Sequence, residues 1–185
     1  MVAARLPSRD DPHPHWFFAL RGVLSLLAQN WMVLKQGPFG PLLDHRIDIE
    51  TSDNPNDSEL HKLKALFAPS AVTSSSLSDR EICVEAYVEL RRAFTLPYVR
   101  RRSWLDAKTA VYVWPGIVSE EFINLLFERK PETLILLAYY CVLLKYVDSC
   151  WYFKGLGVTL LKAIENELSE EWRPWIAWAI EQPVS

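Results

Sequence analysis

Thr133-Leu134-Ile135-Leu136-Leu137-Ala138-Tyr139-Tyr140-Cys141-Val142-Leu143-Leu144-Lys145-Tyr146-Val147 is apolar almost all the way round a helix. A helix without a polar face needs other helices on every side, so this stretch is expected to be the centre of the fold. Pro131 stands where a first helical residue would, and its fixed φ suits that place. The unbroken apolar run, Leu134 to Leu144, is 11 residues long. A bilayer span takes about 20, so the run reads as a buried core helix and no membrane span is expected.

Helical patterns surround this centre. Phe17, Leu20, Leu24, Leu27, Trp31 and Leu34 make one stripe from Pro14 to Lys35, closed by Gly37-Pro38. A short helix is expected over residues 58–67. Ser78 with Glu81 three residues on has capping-box spacing. The helix it opens carries Cys83, Tyr87, Leu90 and Phe94 on one face, and Pro97 is expected to end it. One short helix is expected around Leu105 to Tyr112, and one from a Ser119 cap to Arg129. After the centre, Asp148 and Ser149 are expected to cap a helix with a Phe153, Leu156, Leu160, Leu161, Ile164 and Leu168 stripe. A last short helix begins near Pro174. No alternation of period two and no internal repeat appears. The expected class is all-α, a single-domain bundle of six to eight helices with an apolar pocket. Residues 1–13 form a Pro-rich, charged arm and 14–185 the domain.

Composition supports this and excludes several functions. Of 185 residues, 50% are hydrophobic and 23% charged, enough apolar material for a core. Aromatic residues make 12%, which can line a pocket as well as fill a core. The net charge of −3 lacks the electrostatic footprint of a nucleic-acid binder, so no direct nucleic-acid contact is expected. Three scattered cysteines, Cys83, Cys141 and Cys150, make no disulfide framework and read as buried thiols. No h-region or prenylation box is present, so a cytoplasmic protein is expected.

No known chemistry announces itself by spacing. His13, His15, His45 and His61 do not form a metal-ligand pattern. Gly155-x-Gly157 lacks the strand and third glycine of a phosphate loop. No G-x-S-x-G occurs. Arg100-Arg101-Arg102 reads as a solvated basic run. Neither metal nor cofactor is expected. What remains is a set of polar and aromatic groups on apolar helices. Lys145 and Asp148, three apart, are placed to pair as ions. The expected cavity is lined by Trp16 and Leu20, by Tyr139 and Tyr140, and by the Trp151-Tyr152 to Gly155 turn, with Tyr87 as a further contact. Gly155 and Gly157 admit the close approach of a helix or a ligand.

Two regions together resemble the C-terminal regulatory region of fungal zinc-cluster transcription factors of the sterol uptake control type. One is His15-Trp16-Phe17-Phe18-Ala19-Leu20-Arg21-Gly22-Val23 with Gly37-Pro38-Phe39-Gly40-Pro41-Leu42-Leu43. The other runs from Pro131-Glu132-Thr133-Leu134 through Ala138-Tyr139-Tyr140-Cys141 and Trp151-Tyr152-Phe153-Lys154-Gly155 to Trp172-Arg173-Pro174-Trp175-Ile176-Ala177-Trp178. The resemblance covers residues 15–48 and 80–182. It implies an all-helical ligand-binding domain whose apolar pocket senses a sterol. The chain departs from the pattern in lacking six clustered cysteines, in Tyr139 where His is expected and in Ala179 where Pro is expected.

Two uses follow for such a stand-alone domain. The first is a cofactor-free fungal enzyme of secondary metabolism, a terpenoid cyclase or Diels-Alderase-type pericyclase. It would work by confinement of the substrate and by hydrogen bonding from Tyr139, Tyr140 and Arg21. The second is a regulator in the nucleus that binds a sterol-like ligand or a zinc-cluster partner. A bulky apolar small molecule, whether terpenoid, sterol or polyketide-like, is the partner in both, and a homodimer is allowed by either. The sequence reading inclines to the enzyme.

Overall fold

The computed structural model describes residues 6, 16, 17, 19–22, 54–68, 77–99 and 104–184. Residues 16, 17 and 19–22 are helical. Then follow α1 (Asp57–Lys62), a 3-10 turn (Leu63–Phe67), α2 (Leu77–Val99), α3 (Trp104–Ile117) and α4 (Glu120–Phe127). The chain closes with α5 (Pro131–Lys145), α6 (Leu156–Glu167), a second 3-10 turn (Arg173–Ile176) and α7 (Ala177–Glu181). The protein is all-α, and no strand occurs among the described residues. The rest of the expected Pro14–Lys35 helix lies outside them, as does all of the 1–13 arm except Leu6, which packs half-buried against the core.

Helix α5 is the centre that its sequence predicts. Every residue from Glu132 to Lys145 is buried, and α2, α3, α4, α6 and α7 all pack on it. Proline at the first helical position starts it, with Lys130 as the N-cap. The helix before it ends two residues upstream in a left-handed residue, Arg129 (φ 58°). There Lys130 N donates to Leu125 O and Arg129 N to Leu126 O, the paired bonds of a Schellman motif. An arginine replaces the usual glycine in it. Ser119 caps α4 as expected, its Oγ accepting from Phe122 N at 3.1 Å.

Helix α2 begins at Leu77, so Ser78 lies inside it rather than capping it, and three other boundaries also differ from the sequence expectation. Helix α2 runs two residues past Pro97, because a proline in a last turn removes one bond without blocking the residues that follow. Helix α3 is longer than residues 105–112 and passes through Pro115. Helix α6 begins at Leu156, not after Ser149. The intervening turn is closed by Asp148 Oδ1, which accepts from Gly155 N at 2.7 Å, and Gly155 (φ +74°) sets the left-handed N-cap. Asp148 therefore does not pair with Lys145. The lysine instead reaches across to α7, where Nζ donates to Ala179 O, Ile180 O and Gln182 O at 3.0, 3.1 and 2.9 Å.

The other glycine serves the close approach of a helix. A Cβ on Gly157 would stand 2.8 Å from Cys141 O and 3.1 Å from Leu144 Cβ, so α6 lies directly on the backbone of α5. On an exposed helix, alanine would be worth about 1 kcal/mol over glycine. Here the backbone carbonyl of the core helix has to move. Gly157→Ala is expected to destabilise the protein by about 1–3 kcal/mol in urea unfolding. A variant as stable as the parent would show that the two helices are not in this contact.

Candidate functional site

The two adjacent tyrosines of α5 project about 100° apart, so they enter different interfaces. Tyr140 is fully buried and stacks on Trp114 of α3 (4.9 Å, 28°), which meets Phe122 of α4 edge-on (5.6 Å, 74°). Trp114 Nε1 donates to Ala86 O of α2 at 2.8 Å, joining four helices at one aromatic junction. Tyr139 faces another way. It stacks on Trp178 of α7 (5.0 Å, 25°), whose ring also meets Phe94 of α2 at 6.3 Å.

The Tyr140 hydroxyl donates to Val111 O at 2.7 Å. Val111 lies four residues before Pro115, so its carbonyl is the one that loses a helical N–H to the proline ring. The tyrosine supplies the missing donor. Burial pushes its pKa well above the ordinary tyrosine value. Arg21 serves the same helix one turn further on. Its Nη1 donates to Pro115 O at 2.8 Å and Val118 O at 2.7 Å, and its Nη2 to Glu120 Oε1 at 2.6 Å. These are the terminal carbonyls of α3, where a cation also suits the helix dipole. Two of the three expected donors thus converge on the last turns of α3, each holding backbone carbonyls.

The remaining expected site residues are dispersed among several environments. Trp16 and Leu20 are buried, with Trp16 edge-on to Phe17 at 5.3 Å. Trp151 is 86% exposed and Tyr152 43% exposed, packed edge-on to each other at 5.4 Å on the α5–α6 turn. Tyr87 is buried on α2, with its ring 5.8 Å from Phe67. Burial raises the pKa of Tyr139 to about 12, with the Glu59 carboxylate adding to the effect. The thiols of Cys83 and Cys141 are buried. Burial, then Glu132 and Asp79, pushes Cys83 up to about 12, and burial raises Cys141 as well. A nucleophilic thiolate is disfavoured at both.

A polar group that sequence reading passed over lies around α1. Asn56 Nδ2 donates to Tyr146 Oη at 3.2 Å and Tyr98 Oη at 3.4 Å. Asp57 Oδ1 accepts from Arg91 Nη2 at 2.8 Å, and Asp57 Oδ2 lies 3.2 Å from His61 Nε2. The only sequence signal was polarity on a short helix, which also marks any solvated face. Among the described residues, no three of His, Cys, Asp and Glu gather as a metal site requires. No helix among them is long and apolar enough to cross a membrane.

The chain is similar to a Zn(2)-C6 fungal-type transcription factor of Gibberella zeae. The two are 21% identical over 178 aligned residues, covering 93% of this chain. The chain spans about a third of that curated relative's length, 35%. No family model matches the chain, and no solved structure matches it.

The Tyr140–Pro115 relation is testable by a double-mutant cycle. Tyr140→Phe leaves Val111 O buried without a donor and is expected to cost about 1–3 kcal/mol. Pro115→Ala restores a helical N–H to that carbonyl, so the same tyrosine change should cost clearly less in that background. Equal costs in both backgrounds would mean that the hydroxyl does not replace the proline's missing bond.

Proposed function

We propose that this chain is a ligand-sensing regulatory domain of the kind carried by fungal zinc-cluster transcription regulators. Its ligand is a bulky apolar small molecule of the sterol or terpenoid class. The observation that carries this reading is the similarity to the Zn(2)-C6 fungal-type transcription factor, which takes in 93% of this chain as one region of a protein about three times its length. The helical bundle suits it, since such a domain needs a rigid apolar framework rather than reactive groups. In this reading the domain acts in the nucleus, with a zinc-cluster regulator or a second copy of the chain as protein partner.

The enzymatic reading, a cofactor-free cyclase or pericyclase, draws less support from the same geometry. Electrostatic catalysis needs donors aimed at the position where charge develops. Tyr140 and Arg21 are aimed at backbone carbonyls of α3, which leaves Tyr139 of the three expected donors. The test fuses residues 1–185 to a heterologous DNA-binding element and an activation segment. A reporter is then read in fungal cells with normal and with depleted ergosterol. The regulatory reading expects a several-fold change at equal fusion levels. A reporter that ignores ergosterol, together with turnover of a polyene terpenoid by the purified chain, would replace it with the enzymatic one.

A further inference from the structure

We draw no further inference here: the strongest candidate, the exposed aromatic pair Trp151 and Tyr152 on the turn between α5 and α6, is an apolar surface patch, and nothing in the structure shows what covers it.

Discussion

A helix buried on every side cannot leave a polar group to water, and this governs the structure. Helix α5 carries Thr133, Tyr140 and Lys145 in its sealed interior, and each donates to a backbone carbonyl. Thr133 Oγ1 bonds Lys130 O at 2.8 Å and secures the helix's own start. The other two reach to places where a neighbour's backbone is incomplete, Val111 across from Pro115 and the closing turn of α7. Helix ends and prolines create carbonyls without partners, and a buried polar side chain needs an acceptor. The core solves both problems with the same bonds. Burial lowers the pKa of Lys145, and the three carbonyls around it compensate the charge it keeps.

The centre of the fold was legible because it is a one-dimensional property. Thr133 to Val147 has no polar face, and no alternative to a surrounded helix fits that pattern. The Ser119 cap and the Pro131 start were legible for the same reason, since their partners lie within four residues. The true partners of Tyr140, Arg21 and Lys145 lie 29 to 99 residues away, and no local spacing encodes them. Lys145 and Asp148 illustrate this. Three apart on one helix they invite an ion pair, yet the lysine goes to α7 and the aspartate closes the turn at Gly155. Pro115 did carry a usable signal, since it identifies Val111 as the carbonyl in need, but only the packing of α3 on α5 reveals the donor.

The polar residues of the core and its rim fall into distinct uses. Tyr140 and Arg21 hold α3 where it is weakest. Asn56, Asp57 and Arg91 tie α1 to its neighbours. Similarity to a region of a fungal zinc-cluster transcription factor fits a framework whose polar atoms are mostly spent on holding helices together.

Native-state hydrogen exchange across the chain tests the central claim most directly. If α5 is the sealed core on which the other helices depend, its amides from Leu134 to Leu144 exchange only through global unfolding, with the slowest rates in the protein. Amides of α1 should then exchange through a separate, lower-energy opening. Exchange of the α5 amides by local opening, at rates like those of α1, would contradict the account.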